Sequence, residues 1–557
     1  MKQPMKAESK QRMRMTVQGM TCDDCNRHVA HALETAGAED VRADFRRGEA
    51  IFTFASQDTA PLAGAVRDAG YRPGKIEVLE GASPRPPVRN SSGDSYDLAI
   101  VGAGSAAFAA AIRARDLGAR VAMVEASTIG GTCVNVGCVP SKAVLRASEV
   151  HYEAGHHGFA GITTRGAKPD LAAVVGQKDE LVAALRQEKY ADLVDAYGFD
   201  FISGHARFTG PAELAVDGRP LRAERFLIAT GASPWAPPIP GLEETGYLTS
   251  TTALDLKELP RSLAVIGGNA IGLEMGQYFA NLGSKVTVLE VLPRIAPFEE
   301  PELSAGIARV LDDEGLRIIT GAQIERVERS GGKITIRGRA EGKAVAVQVD
   351  QLLLATGRRA NTADMDLDAA GVQLDPRGSI VVDDSLRTPN PRVWAAGDCT
   401  PAPQFVYVAA YEGALAVDNA IGGKSRTVDF RALPRVTFTR PQIASAGLTE
   451  EQARREGYEV RVSTMPLDVI PRALVNRDTR GLFKLVADAK TDQLLGAHIL
   501  AESAGEVVLS AVYAIKFHLT IADLTETFHP YLTMAEGMKL AAQTFTRDVA
   551  KLSCCAA

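Results

Sequence analysis

The sequence predicts an α/β protein with two doubly wound nucleotide-binding domains, an α+β domain after them and a small βαββαβ ferredoxin-like domain in front. Two glycine-rich turns, Gly102–Ala107 and Gly267–Gly272, each follow an apolar strand and open a helix, which is typical of doubly wound nucleotide-binding folds. A third observation is the alternation of strand-like and helix-like runs before residue 81. The 557 residues leave room for about four domains of roughly 150 residues each.

The small N-terminal domain is predicted from strand-like runs at 13–17, 40–45, 50–54 and 75–79, with helical runs at 26–35 and 59–68. After it, prolines, serines and glycines predict a flexible linker, because such a segment has little to bury. The predicted boundaries are 12–80 for the small domain, 81–94 for the linker, 95–250 with 366–430 for the first nucleotide-binding domain, 251–365 for the second, 431–549 for the α+β domain and 550–557 for a tail.

Composition narrows the classes of partner. The formal net charge is −6, so no global basic field favours nucleic acid or an anionic membrane. The N-terminus lacks the apolar core of a secretory signal, and the apolar stretch 98–112 is interrupted by glycines and a serine. We therefore expect a cytoplasmic protein with no membrane insertion.

Six of the seven cysteines form three close pairs, Cys22/Cys25, Cys133/Cys138 and Cys554/Cys555, while Cys399 stands alone. Two nearby thiolates suit a soft metal ion or thiol–disulfide exchange. In a reducing cytoplasm, such pairs are more often catalytic or metal-binding than structural. The sequence thus predicts thiolate chemistry at three places.

The first glycine-rich turn predicts a dinucleotide site. Gly102, Gly104 and Ala107 form a G-x-G-x-x-A pattern, and Glu125 ends the next strand. The glycines allow a tight turn and close approach of a pyrophosphate, the helix N-terminus supplies a positive dipole, and the acid accepts from a ribose hydroxyl.

The second turn predicts a second dinucleotide site, and its residues favour NADH over NADPH. Gly267 and Gly272 bound the turn, Asn269 replaces the usual middle glycine, and Glu290 ends the following strand. An acid at this place suits the free 2′-hydroxyl of NADH and repels the 2′-phosphate of NADPH. Val291 follows where an arginine would favour the phosphate, although Arg294 is near.

The segment Gly130-Gly-Thr-Cys-Val-Asn-Val-Gly-Cys-Val-Pro-Ser-Lys142 resembles the signature of the flavin-dependent pyridine nucleotide–disulfide oxidoreductases. The resemblance implies FAD at the first nucleotide fold, NADPH or NADH at the second, and a dimer. It places Cys138 against the flavin and makes Cys133 the interchange thiol facing the substrate. The other residues that it assigns to the FAD site are Thr132, Lys142, Ala206, Asp398 of the segment Ala395–Asp398, and Val406. Cys399 is then expected to be a packed residue.

Three departures point to one branch of that family. The disulfide reductases carry a histidine five residues before Glu536, and this chain has Tyr531 there. Together with Gly19-Met-Thr-Cys-Asp-Asp-Cys25 and Cys554/Cys555, this resembles the branch that reduces mercury(II), with residues 12–80 similar to a heavy-metal-associated domain. Hg²⁺ favours linear binding by two soft thiolates, so each cysteine pair is expected to bind it.

The same resemblance implies how the parts cooperate. Cys22 and Cys25 would capture the metal ion, and Cys554 and Cys555 would receive it and pass it to Cys133 and Cys138 of the other subunit of a homodimer. Tyr190 would lie near the metal and meet Tyr531 of the partner. Mercury(II) thiol complexes and a membrane mercury transporter are the expected partners.

Two other functions remain open on the sequence. A thiol–disulfide reductase of the dihydrolipoamide dehydrogenase type is supported by Glu290 and by His529, which stands two positions before Tyr531. A soft-metal carrier for copper or zinc would use residues 12–80. Against the carrier stand the flavin and redox motifs, because a carrier needs no relay from hydride to disulfide.

Overall fold

A computed structural model describes residues 11–21, 23–45, 48–56, 58–78, 95–164, 166–548 and 551. The chain divides into two compact units, 1–87 and 88–557. The predicted linker 81–94, most of the predicted tail, and Cys22, Cys554 and Cys555 lie outside the described residues. The domain boundaries given above stay predictions.

The N-terminal unit confirms the βαββαβ order. Alternate residues Met13, Met15 and Val17 of the first strand are buried, while Val29 and Leu33 bring one face of the first helix onto the same core. The sheet is antiparallel in the order β2-β3-β1-β4. Its elements are β1 Gln11–Gln18, α1 Asp23–Thr35, β2 Glu39–Asp44, β3 Glu49–Phe54, α2 Ala60–Asp68 and β4 Arg72–Val78.

The second unit begins with a doubly wound nucleotide-binding fold. Its first strand carries a continuous buried run from Leu98 to Val101, as expected of a parallel strand covered on both faces. The elements are β5 Tyr96–Val101, α3 Ser105–Asp116, β6 Val121–Glu125, α4 Gly131–Asn135, α5 Cys138–Glu153, α6 Leu171–Arg186, α7 Asp192–Tyr197, β7 Asp200–Ser203, β8 Ala206–Gly210, β9 Glu213–Val216, β10 Arg219–Ile228, β11 Ala232–Pro234, α8 Leu242–Thr245 and α9 Ser250–Ala253. The strand order is β7-β6-β5-β10-β9-β8, and one turn of π-helix, Gln187–Ala191, joins α6 to α7.

A second doubly wound fold follows, with a parallel sheet in the order β14-β13-β12-β18. A separate antiparallel sheet, β15-β16-β17, is inserted before its last strand. The elements are β12 Ser262–Ile266, α10 Ala270–Asn281, β13 Lys285–Leu289, α11 Pro301–Asp313, β14 Arg317–Ile319, β15 Gln323–Ser330, β16 Lys333–Ala340, β17 Lys343–Val349, β18 Gln351–Leu354 and β19 Arg358–Ala360.

The chain then returns to the first fold, where β20 Val393–Ala395 pairs in parallel with β10 and α12 Val406–Ala420 packs on α3. The glycine of this helix, Gly413, permits the close approach, because a Cβ there would lie 2.1 Å from the carbonyl oxygen of Ala106. Both glycine-rich turns thus belong to doubly wound folds, which confirms the predicted class.

The C-terminal part is α+β, with an antiparallel sheet in the order β21-β22-β25-β24-β23. The sequence of residues 535–549 is helix-like and predicts a helix over that range, but the helix in the structure begins at Glu536 and ends at Gln543. The elements are β21 Pro434–Thr437, β22 Gln442–Gly447, α13 Glu450–Arg455, β23 Val460–Pro466, α14 Pro471–Asn476, β24 Leu482–Asp488, β25 Leu494–Ala501, α15 Ala504–Lys516, α16 Ile521–Glu526 and α17 Glu536–Gln543. Among the residues that the structure describes, no helix is long and apolar enough to span a bilayer.

Candidate active site

The centre of the site is the Cys133/Cys138 pair. Cys133 lies in α4 and Cys138 is the first residue of α5, so the second sulfur is at the positive end of a 16-residue helix. A hydrogen bond joins the two side chains, and the structure holds both as thiols. This hydrogen bond lowers the pKa of Cys138 and raises that of Cys133. In the reduced pair, Cys138 therefore ionises before Cys133, and the first thiolate to form is that of Cys138.

Lys142 lies one turn further along α5 and stabilises that thiolate, since its positive charge also lowers the pKa of Cys138. Its Nζ is 2.7 Å from a carboxylate oxygen of the buried Glu274 in α10 and 4.5 Å from the centre of the Phe438 ring. The carboxylate and the ring hold the ammonium in place. The predicted Lys142 thus contributes charge to the cysteine pair.

Tyr190 lies on the π-helix turn and is brought to the cysteine pair. Its ring meets Phe108 edge to face with centroids 4.9 Å apart, and its side chain hydrogen-bonds to Ser105. A Cβ on Gly130 would come 3.3 Å from the same ring. Burial raises the pKa of the Tyr190 phenol, and negative charge on the two cysteines adds to that shift.

The first glycine turn forms a cradle that side chains would fill. Gly102 has φ +108°, and a Cβ on it would lie 2.3 Å from the carbonyl oxygen of Ala229. Gly131 has φ +63°, and its Cβ would lie 2.6 Å from the Cα of Gly104, so α4 rests directly on the turn. Behind the turn, Ala107 is fully buried in the core.

Glu125 lies where the prediction placed it, at the end of β6 and against the same turn. Its carboxylate accepts hydrogen bonds from Ala103 N at 2.7 Å and from Ser127 N at 2.8 Å. The helix α3 begins beyond it without a side-chain cap, so its first N–H groups face the turn as anion donors. This combination fits the pyrophosphate and ribose of a dinucleotide.

Arg358 is a site residue that the sequence did not reveal. Its guanidinium donates to the hydroxyl oxygen of Thr132 at 3.4 Å and to the carbonyl oxygen of Ala232, and its Nε is 3.9 Å from a carboxylate oxygen of Asp398. Burial lowers the pKa of Arg358, whereas negative charge on Asp398 and Cys138 opposes that shift. One half-buried cation therefore links the segment Ala395–Asp398 to α4, the helix that carries Thr132 and Cys133.

Burial of Asp398 raises the pKa of its carboxyl, and the neighbouring Arg358 counteracts this. On α12, Glu412 accepts a hydrogen bond from Gly397 N at 2.7 Å. Its second oxygen, Oε1, is buried and makes no hydrogen bond to the described residues. The glycine cradle, the uncapped helix and this buried oxygen fit FAD.

The remaining residues predicted for the FAD site lie in this fold. Val406 begins α12, and Ala206 begins β8 and packs on the core that holds β5 and β10. Cys399 is completely buried, with its Sγ 3.4 Å from the carbonyl oxygens of Ile228 and Ala396. This burial confirms Cys399 as a packed residue, and it raises the pKa of the thiol to about 11.

The second glycine turn repeats the geometry of the first. A Cβ on Gly267 would lie 2.3 Å from the carbonyl oxygen of Ala355, and one on Gly272 would lie 1.9 Å from that of Gly267. Glu290 accepts from Gly268 N at 2.6 Å and from Leu292 N at 2.8 Å. The buried carboxylate of Glu290 thus lies at the turn, as Glu125 does in the first fold.

Other predicted residues are described only within the single chain. Tyr531 is half exposed, and the ring of His529 lies 3.1 Å from the carbonyl oxygen of Thr527. In the N-terminal unit, Thr21 N donates to Cys25 Sγ at 3.4 Å. Cys22, Cys554 and Cys555 lie outside the described residues.

Comparison with known proteins decides the family. The model described as "Pyridine nucleotide-disulphide oxidoreductase" matches residues 96–413, and its dimerisation domain matches 433–542. The chain belongs to the pyridine nucleotide-disulphide oxidoreductase family. As a member of it, the chain is an FAD-dependent NAD(P)H oxidoreductase and forms a homodimer through its dimerisation domain.

Similar family members include curated mercuric reductases. The one from Bacillus cereus is 51% identical over 98% of this chain and 87% of its own length, and the one from Staphylococcus aureus is 50% identical over 98% of this chain and 99% of its own. Among solved structures, the HOCl-induced flavoprotein disulfide reductase RclA from Escherichia coli has a TM-score of 0.73 at 34% identity, covering 81% of this chain and 100% of that one. LpdA from Mycobacterium tuberculosis has a TM-score of 0.73 at 26% identity, covering 82% of this chain and 100% of its own.

Proposed function

We propose that this chain reduces Hg(II) to volatile Hg(0) with electrons from a reduced pyridine nucleotide, as a step in mercury detoxification. The observation that carries the proposal is the hydrogen-bonded Cys133/Cys138 pair beside the dinucleotide cradle, in a chain 51% identical over nearly its whole length to a mercuric reductase from Bacillus cereus. Because the reaction consumes reduced nicotinamide, we propose that it takes place in the cytoplasm.

The cysteine pair suits Hg(II) because two thiolates can bind the ion in a linear arrangement without a third ligand. Cys138, which ionises before Cys133, is the first ligand. Cys133 loses its proton when it becomes the second, since a metal-bound thiol is deprotonated. Two electrons then reduce the ion to Hg(0), and both sulfurs are released as thiolates.

Bound FAD supplies the transfer of a hydride from nicotinamide and of two electrons to the sulfur-bound metal. The chain's own residues control the charge around that transfer. Lys142 stabilises the Cys138 thiolate, and Arg358 balances negative charge on Asp398 and Cys138. Tyr190 lies beside Gly130, at the start of the helix that carries Cys133.

We further propose that each active site is completed by the partner subunit of the homodimer. Tyr531 is half exposed in the single chain, as expected of a side chain that acts in another subunit. Cys554 and Cys555 would transfer Hg(II) from thiol complexes to Cys133 and Cys138. Replacing both terminal cysteines by alanine should slow turnover on thiol-ligated mercury, and an unchanged rate would make them dispensable.

The N-terminal unit would supply metal to this centre. Cys22 and Cys25 fit a two-thiolate mercury site. This site would take up ions that a membrane transporter releases and deliver them to the Cys133/Cys138 pair. A tether raises the local concentration of the cargo without requiring a new contact. Loss of the unit should therefore matter most when mercury is scarce.

For the nucleotide, we propose that NADH works at least as well as NADPH. The carboxylate of Glu290 lies at the second turn, where it suits a ribose hydroxyl and repels a 2′-phosphate. Val291 is exposed beside it, and Arg294 donates to the carbonyl oxygen of Pro297 at 2.9 Å within its own loop. Comparison of kcat/KM for the two nucleotides is the test, and a large preference for NADPH would contradict the proposal. In Glu290→Gln, kcat/KM for NADPH should rise relative to that for NADH.

The experiment for the overall function offers purified holoenzyme either HgCl₂ with excess small thiol or an organic disulfide, oxidised lipoamide or glutathione. We expect nicotinamide oxidation with mercury and little with the disulfides, because a tyrosine replaces the histidine that would serve a leaving thiolate. Oxidation with a disulfide and none with mercury would instead support a thiol–disulfide reductase.

A further inference from the structure

Glu412 is a buried carboxyl group that the proposed reaction does not use. Its side chain is 1% exposed, in a helix whose other first-half residues are apolar or aromatic. Oε2 accepts the hydrogen bond from Gly397 N, whereas Oε1 is buried without a hydrogen bond to any described residue. A buried oxygen left in this condition costs free energy, so it calls for a partner or a proton.

The position of Glu412 connects it to FAD. Gly397 precedes Asp398 in the segment that closes the FAD site, and a Cβ on Gly397 would lie 3.4 Å from the Cβ of Ala106 in α3. The next residue of α12, Gly413, touches the backbone of Ala106. Glu412 therefore lies where α12 and the Gly397 turn meet the first turn of α3, at which the dinucleotide pyrophosphate is expected.

We propose that Glu412 is a positioning residue for FAD that takes up a proton when FAD binds, so that Oε1 becomes a hydrogen-bond donor. An anionic pyrophosphate disfavours a second buried anion close to it. The neutral acid keeps the hydrogen bond from Gly397 N on its carbonyl oxygen. The added proton gives the other oxygen a donor role, which a carboxylate lacks.

The surroundings of Glu412 favour this uptake. Burial raises the pKa of Glu412 to about 7, and the charge of Asp398 adds to the rise. The compensating cation Arg358 is paired with Asp398. The first half of α3, residues 105–111, contains no ionisable side chain, and the buried Cys399 thiol has its pKa raised to about 11.

Proton uptake makes the dissociation constant of FAD depend on pH with a fixed sign. FAD binding raises the pKa of Glu412, so affinity is complete below the pKa of the FAD-free protein and falls as pH rises above it. The dissociation constant should increase by up to about tenfold per pH unit from roughly pH 7 upward. The inference concerns FAD alone and does not depend on the metal that the enzyme reduces.

The test measures FAD released from diluted, oxidised full-length holoenzyme by flavin fluorescence, between about pH 6.5 and pH 9. In wild type, the dissociation constant of FAD should rise with pH. In Glu412→Gln it should stay constant, and near pH 9 this variant should bind FAD more tightly than wild type, because glutamine imitates the neutral acid. A merely structural role predicts the opposite, weaker binding at every pH. The matched control is Glu536→Gln, which changes another buried glutamate with an unpartnered oxygen, in the dimerisation domain, and should keep the wild-type rise.

Three results would overturn the inference. They are a dissociation constant for FAD that does not change with pH in wild type, a rise in Glu412→Gln equal to that of wild type, and a dissociation constant in Glu412→Gln that is constant with pH but higher than that of wild type at every pH. The first of these needs no variant, so the inference stays testable if Glu412→Gln does not fold. Failure here would leave the mercury reaction untouched, because no mercury is present in the assay.

Discussion

The contact between Gly131 and Gly104 predicts that one added methyl group will loosen FAD. In Gly131→Ala, the new Cβ would lie 2.6 Å from the Cα of Gly104, and a residue with a side chain would have to adopt φ +63°. The left-handed conformation costs about 1–2 kcal/mol. Relief of the backbone collision adds about 1–3 kcal/mol, a range measured for overpacked cores. Because the added Cβ cannot rotate away and the atom that it meets is backbone, relief requires α4 to move away from the cradle.

The control separates the two costs. Gly321 has φ +62° with nothing within 4 Å of its Cβ position, so Gly321→Ala carries the conformational cost without the collision. If relief of the collision deforms the cradle, FAD should bind about 5- to 150-fold more weakly to Gly131→Ala than to Gly321→Ala. Flavin fluorescence after dilution of holoenzyme measures this ratio, with thermal unfolding to compare stability. Equal FAD retention in the two variants would refute the reasoning.

The remaining predictions concern the cysteine pair and the N-terminal unit. Lys142→Met should raise the pKa of Cys138, because it removes a positive charge that stabilises the thiolate. The pH midpoint for iodoacetamide alkylation of the reduced enzyme should therefore move upward. An unmoved midpoint would contradict the effect assigned to the Lys142 charge. Cys133→Ala should move the midpoint in the same direction, because it removes the hydrogen bond that the Cys138 thiolate accepts, and should abolish mercury-dependent nicotinamide oxidation while FAD is retained. Deletion of residues 1–94 should leave most activity on small thiol complexes of mercury, and complete loss would make the N-terminal unit part of the catalytic centre.

The sequence was informative wherever the chemistry is local. The glycine turns, with Glu125 and Glu290 one strand later, are short patterns whose geometry follows from backbone sterics, and the structure has both carboxylates at their turns. The βαββαβ order was equally accessible, because alternate residues of strands such as Gln11–Gln18 are apolar and buried, here Met13, Met15 and Val17.

The sequence did not reveal the site residues that only tertiary contacts bring together. Arg358 lies 226 positions after Thr132, and only folding brings its guanidinium to that hydroxyl. Glu412 did carry a signal, a lone carboxylate in the apolar first half of α12, although its hydrogen bond to Gly397 could not be foreseen. The helix predicted to reach residue 549 ends at Gln543, because a turn follows it.

The most direct test of the central claim is the ratio of Hg(0) formed to nicotinamide oxidised. Holoenzyme with excess small thiol and limiting HgCl₂ would be purged into a mercury trap while NADH or NADPH absorbance is recorded, with Cys138→Ala as the control. We predict one Hg(0) for each nicotinamide oxidised by wild type and neither product from Cys138→Ala. Nicotinamide oxidation without Hg(0) in the trap, or Hg(0) release that survives in Cys138→Ala, would contradict reduction at this cysteine pair.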